Sequence, residues 1–197
     1  MQQPQQQPPG MVDNAKAAGA WMYVIAHAMG TTMEASFLRT RFGSRYLGTN
    51  AALGLATIFF FILCWPHDDP RPLLYFLVWY VGMCAFHRIH GIARARRGDV
   101  EHSLYSGTPR LLRFFPCFGE LTVKRFIDPA VVLFAGWVTT HFSEPLGCYF
   151  ILSAVGMFLQ ASVAQAFTRV LTQNSIDSMI EARQHAERVR SQWPHRT

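Results

Sequence analysis

Charged residues are scarce in this 197-residue chain, at 15% of the total, and several long stretches contain none. The basic residues that exist lie beside apolar segments rather than on one binding element, which argues against nucleic acid as a partner. Motifs of several enzyme classes are missing as well. There is no G-x-x-x-x-G-K-[ST], no G-x-S-x-G and no H-E-x-x-H, so the phosphate-loop, nucleophile-elbow and zinc-protease readings fall away in their usual forms. Cys64, Cys84, Cys117 and Cys148 show no C-x-x-C spacing, and three of them lie in apolar blocks where a thiol behaves as a small hydrophobe; neither a disulfide nor zinc is expected. The start of the chain lacks a basic n-region and a compact apolar stretch. Rich in Gln and Pro, residues 1–13 read as a disordered tail rather than a secretory signal.

Charge of one sign is also missing from two particular places. Of the 18 Lys and Arg residues, 17 fall outside the connectors 67–72 and 141–145, each of which joins a pair of apolar segments; Arg71 is the exception. The connectors carry acids instead, Asp68 and Asp69 in the first and Glu144 in the second. Because basic residues are retained in the cytosol, both connectors are expected outside and both termini inside, as in a protein of the bacterial inner membrane.

What is present is a set of apolar blocks. Residues 47–65 hold nineteen positions without a charge, and a helix needs about 20 residues to cross a ~30 Å hydrocarbon core. Pro66 ends that helix, because proline lacks an N–H donor and restricts the residue before it. The second block begins at Pro72 and closes at His87 and Arg88. The fourth, 146–167, contains no charge over twenty-two residues. The third is the shortest, since 129–142 covers only about 21 Å at 1.5 Å per residue. Asp128 before Pro129 reads as an N-cap and first helical position; 121–127 either extends this helix, with Lys124 and Arg125 reaching to headgroups, or lies flat at the interface.

The expected fold is therefore all-α: a polytopic membrane protein with four transmembrane helices in two hairpins, 47–87 and 129–167. An interfacial N-terminal helix and basic linker (14–46), a basic cytoplasmic connector (88–128) and a C-terminal cytoplasmic helix (168–197) complete it. Residues 17–33 are uncharged but only weakly hydrophobic, dominated by Ala, Gly and Thr, which suits a helix on the membrane or against the bundle. A fifth span here is the alternative, and it would move the amino terminus outside. Tyr75 to Met83 (YFLVWYVGM) and Tyr149 to Met157 (YFILSAVGM) match at five of nine positions, a faint echo of a duplicated hairpin.

Two groups of residues are candidates for function. The connector carries eight basic and four acidic residues. Arg94, Arg96, Arg97, Arg110 and Arg113, with Phe114 and Phe115, are expected to contact anionic lipid or a protein partner; the plain topological reading is that these arginines only hold the loop inside. Ser153, Gly156, Gln160 and Ala164 recur at helical spacing, so they form a small-residue face that packs helices within the chain or between subunits of a homo-oligomer.

No cofactor is implied, and the expected role is a non-catalytic membrane subunit or anchor of a larger assembly. One alternative is an enzyme with metal at the cytoplasmic membrane edge, held by His87, His90 and His102 with Glu101 or Asp99. The other is a small oligomeric channel, disfavoured by span interiors that read as neutral. Residues 91–97 distantly resemble the Gly and Ala-Arg portion of phospholipid-forming phosphatidyltransferases. That family's metal-binding aspartates are replaced near His87 and His90 by histidine, with only Asp99 nearby, so its chemistry is not carried over.

Overall fold

The computed structural model describes residues 11–43, 46–98, 105–114 and 117–192, and it is almost wholly helical. Among the described residues six α-helices follow in order: α1 (Met11–Met33), α2 (Leu47–Cys64), α3 (Arg71–Arg96), the short α4 (Glu120–Thr122), α5 (Asp128–Thr140) and α6 (Glu144–Gln192). Two two-residue strands, β1 (Arg39–Thr40) and β2 (Thr108–Pro109), pair antiparallel with Arg39 opposite Pro109 and Thr40 opposite Thr108. Three helices, α2, α3 and α6, are long and apolar enough to cross a membrane. The chain divides into two compact units between Ala161 and Ser162. The second unit, from Ser162, is the single polar continuation of α6, with Ile176, Met179 and Ile180 exposed along it.

The helix ends follow local chemistry. Helix α2 stops at Cys64, one residue before the expected 65, with Trp65 in a non-helical conformation just before Pro66. Helix α3 starts with Pro72 in its first turn, where a missing N–H costs nothing, and ends in basic residues that favour the negative end of the helix dipole. The third apolar block is resolved in favour of the longer helix. Helix α4 passes through a π-helical segment, Val123–Ile127, directly into α5, so 120–140 is helical throughout. At 1.5 Å per residue that is about 31 Å, where α5 alone would reach about 20 Å. Asp128 is consequently not the N-cap that its place before Pro129 suggests: its backbone is α-helical and its side chain is fully buried.

Packing in the first unit relies on small residues and aromatic rings. Gly54 of α2 lies against the Tyr80 hydroxyl of α3, and the same hydroxyl donates to the Ala51 carbonyl at 3.3 Å. Gly136 of α5 meets Phe150 and Ile151 of α6, while Gly147 meets the Thr140 backbone. Phe61, Phe76, Tyr149 and Phe150 form a ring cluster near the ends marked by the connectors after α2 and α5. Such edge-to-face pairs add about 0.5–1.5 kcal/mol each beyond the area they bury.

Helix α1 is more deeply buried than its weak hydrophobicity suggests. Its first described side chains, including Trp21 and Met22, are exposed, whereas every residue from 28 to 36 is buried. The buried half fits because it is narrow. Gly156 of α6 approaches the Ala26 backbone so closely that a Cβ there would collide with it, and Gly30 packs against Met157 and Gln160. Thr32 reaches the Tyr149 hydroxyl at 3.1 Å.

After Met33 the chain turns through a π-helical segment, Glu34–Leu38, and doubles back. Phe37, at this turn, stacks with Phe76 and Trp79 of α3 and touches Phe150. On the return, Phe42 packs on His87, and Tyr46 lies edge-on to His27, which precedes the turn. The exit of the segment at Tyr46 thus lies beside His27, before its entry. Its tip lies among the residues of α3 and α6 nearest the connectors.

Candidate functional site

The return of the chain after α1 brings three ionisable groups into the interior. Glu34 is 0% exposed, Arg39 2% and Asp128 0%. Glu34 opens the first π-helical segment and Asp128 immediately follows the second, so the two wide turns face both acids toward Arg39 on β1. Single π-helical turns inside longer helices are frequent at functional sites, because the extra residue redirects a side chain.

The contacts form a chain across four elements. Arg39 Nη1 lies 2.8 Å from Glu34 Oε1, and Arg39 Nε lies 3.5 Å from Asp128 Oδ2. The Tyr46 hydroxyl donates to Glu34 Oε2 at 2.8 Å, and Gln160 Nε2 donates to the Tyr46 oxygen at 3.0 Å. Beside it, His87 Nε2–H donates to the Ala35 carbonyl at 2.9 Å. Removing ions from water costs several kcal/mol each, so the network holds only because its members compensate one another. Burial, followed by the nearby Glu34 charge, pushes the Tyr46 hydroxyl far above its ordinary range, so it stays a donor.

Arg39 also ties the connector to this core. Its Nη1 donates to the Ser106 carbonyl at 3.4 Å, and Lys124 Nζ donates to Ser106 Oγ at 3.2 Å. Lys124 in turn pairs with Glu120 at 2.7 Å and sits over the Tyr105 ring, while the Tyr105 hydroxyl donates to the same Glu120 oxygen at 2.7 Å. Partial burial works to raise Glu120, but the bonds from Lys124 and Tyr105 outweigh it and hold the carboxyl below its usual range. The β1–β2 crossing needs Gly107 with φ +86°, since a side chain there would also strike the Thr40 carbonyl.

Asp128, the last residue before the apolar block, differs from its neighbours. Among the described residues, neither of its carboxylate oxygens accepts a hydrogen bond. Burial pushes this carboxyl up to about 6, with Glu34 acting the same way and Arg39 and Lys124 opposing. A value raised above the ordinary one favours the folded chain most below about pH 4. That contribution is lost as the pH rises through about 6.

The residues singled out from sequence are distributed as follows. Ser153, Gly156 and Gln160 are buried in the first unit, with Gly156 and Gln160 against α1. Ala164 is exposed and belongs to the second unit. Arg96, Arg97, Arg110, Arg113 and Phe114 are exposed, Arg94 is half-buried, and Phe115 lies outside the described residues. Of the proposed metal ligands, His87 commits Nε2 to Ala35, and the His90 ring lies tilted against Phe86 with centroids 4.2 Å apart. His102, Glu101 and Asp99 lie outside the described residues, and no group of three potential ligands occurs among the described ones.

Sequence reasoning missed Glu34 and Arg39 as site residues and placed Asp128 at a block end. The apolar spans are neutral, as expected, yet the interior they enclose is not, because α1 and β1 bring the charge in from outside them. One signal was available: an acid and an arginine five positions apart, directly after an uncharged stretch. No family model matches this chain, and neither a curated protein nor a solved structure is detectably similar to it.

Proposed function

We propose that this protein is a non-catalytic membrane anchor, a subunit through which a larger assembly is held at the cytosolic face of a bacterial inner membrane. The supporting observation is an inverted distribution of polarity. Phe60 is 66% exposed, Val78 71% and Phe134 64%, all on outward faces of α2, α3 and α5, while Glu34, Arg39 and Asp128 are inside. Water would select the opposite arrangement; lipid selects this one.

In this reading α2–α3 and the 120–140 helix with α6 form two membrane hairpins, the turns from Glu120 to Asp128 lying at headgroup level; the part from Pro129 to Thr140 covers only about 18 Å, so the bilayer thins locally around it. Helix α1 is a re-entrant element that dips in and returns on one side. Irregular backbone at membrane depth is tolerated only where protein covers it, and the turn at Glu34–Leu38 is buried except for Phe37. The acids Asp68, Asp69 and Glu144 lie at one end of the bundle and the basic connector at the other, which orients the connector to the cytosol.

Sided thiol labelling of sealed vesicles tests this topology. In a chain whose other cysteines are replaced, Cys117 and Gly19→Cys are expected to label from the cytosolic side and Asp69→Cys from the opposite side. Labelling of Gly19→Cys together with Asp69→Cys would make α1 a full span and refute the re-entrant reading.

The working surface is then the exposed basic and aromatic side of the connector, Arg96, Arg97, Arg110, Arg113 and Phe114. Near a membrane each basic residue contributes about 1 kcal/mol of attraction to an anionic surface. Substituting Arg96, Arg97 and Arg113 by Glu is expected to release the chain from its assembly, seen on native gels in mild detergent as a shift toward the free 22.4 kDa chain. Unchanged migration of the complex would remove the anchoring role from this surface.

A further inference from the structure

We infer that the buried cluster is a proton-binding site, with Asp128 as the group that takes up and releases the proton. Two carboxylates, Glu34 and Asp128, share one guanidinium, Arg39, and all three are shielded from water. With both acids ionised the trio would carry a net negative charge in a medium that solvates charge poorly. Such a group neutralises rather than stay charged, and a proton needs no added space.

The contacts decide which acid holds it. Glu34 is the more closely partnered acid: its Oε1 forms an ion pair with Arg39 Nη1 at 2.8 Å, and its Oε2 accepts a hydrogen bond from the Tyr46 hydroxyl at 2.8 Å. Asp128 has the Arg39 Nε at 3.5 Å, and among the described residues no donor reaches either oxygen in hydrogen-bonding geometry. The groups that face it are Arg39 from β1, Glu34 from the first π-helical turn and Lys124 from the second, and Lys124 is already engaged with Glu120. The chemistry is a simple exchange: a carboxylate oxygen gains a proton and the cluster becomes neutral, or the proton leaves and the negative charge returns.

A graded polar route connects the site with the surface. From Asp128 it runs through Arg39 to Ser106, then Lys124, then Glu120, whose side chain is 40% exposed. Each step is an ion pair or a hydrogen bond. A guanidinium and a carbonyl relay no proton, so these contacts mark the connector end as the polar side of the site, from which water exchanges the proton with Asp128 directly; this is independent of the anchoring role proposed above.

Infrared spectroscopy of the full chain in lipid vesicles tests the inference. The carbonyl stretch of a protonated carboxyl, which lies above the amide I band, is expected to persist well above the pH at which ordinary aspartates ionise. Asp128→Asn, an isostere of the neutral acid, is expected to abolish that band, and Glu34→Gln to leave it. In parallel, the wild-type chain should lose thermal stability as the pH rises from the ordinary aspartate range toward neutrality, and Asp128→Asn should flatten that slope. A band that survives Asp128→Asn, or that disappears with Glu34→Gln, overturns the assignment. Should Asp128→Asn fail to fold, a wild-type spectrum lacking any carboxyl band above the ordinary aspartate range overturns it equally.

Discussion

Arg39→Met is expected to be among the most damaging single substitutions in this chain, costing about 3–5 kcal/mol at neutral pH. The methionine occupies similar volume, so the loss is electrostatic rather than a cavity. Without the guanidinium, Glu34 keeps only the Tyr46 hydroxyl, Asp128 keeps no cation within ion-pairing distance among the described residues, and both carboxylates remain buried. The substitution also frees the Ser106 carbonyl of its bond to Nη1, which weakens the tie between the connector and the core. Unfolding in mild detergent, followed by tryptophan fluorescence, measures the cost.

The pH dependence of that loss separates an electrostatic role from a packing role. Lowering the pH protonates the stranded acids and removes the uncompensated charge, so Arg39→Met should recover much of its stability in acid. A triple substitution of Arg39→Met, Glu34→Gln and Asp128→Asn should be far more stable than Arg39→Met alone, because it leaves polar but uncharged groups in the same volume. Equal destabilisation at acid and neutral pH would show that Arg39 acts through shape instead.

What could be read from the amino-acid order depended on whether lipid or protein surrounds each segment. Helices α2 and α3 are legible because outward faces at membrane depth must be apolar whatever the interior does, and Pro66 and Pro72 punctuate them. Helix α1 is less so. A helix enclosed by other helices is selected for narrowness rather than hydropathy, and the Ala, Gly and Thr of 26–32 are what let it approach Gly54 and Gly156. Weak hydrophobicity there signals a protein environment, although the same composition also suits an interfacial helix.

The ion cluster was illegible for a different reason. Its acids and its arginine come from two places far apart in the chain, and Asp128 beside Pro129 imitates a helix start. Only the π-helical segment Val123–Ile127, which no propensity rule announces, carries the helix through that point and turns Asp128 inward. The face built from Ser153, Gly156 and Gln160 was visible because it depends on spacing alone. That spacing continues to Ala164, yet the burial does not, and Ala164 is exposed.

Gly156→Val tests the seating of α1 with a comparably large effect. A Cβ at this position would lie against the Ala26 carbonyl, and backbone on both sides leaves no flexible side chain to yield. Over-packing of this kind costs typically 1–3 kcal/mol, and a branched side chain facing backbone falls at the upper end, about 3 kcal/mol. Helix α1 would be displaced from α6, and the displacement propagates through Gly30, which packs on Met157 and Gln160, to the bond between Gln160 and Tyr46. Proteolysis or hydrogen exchange should therefore report opening across the segment from 26 to 46, with α2 and α3 protected by their own contacts. Gly156→Ala should give a smaller but measurable loss, because it adds the same Cβ without branching. If the valine variant leaves exchange in that segment unchanged, α1 is not held by its close approach to α6, and the turn after α1 must derive its stability from Arg39 and β1 alone.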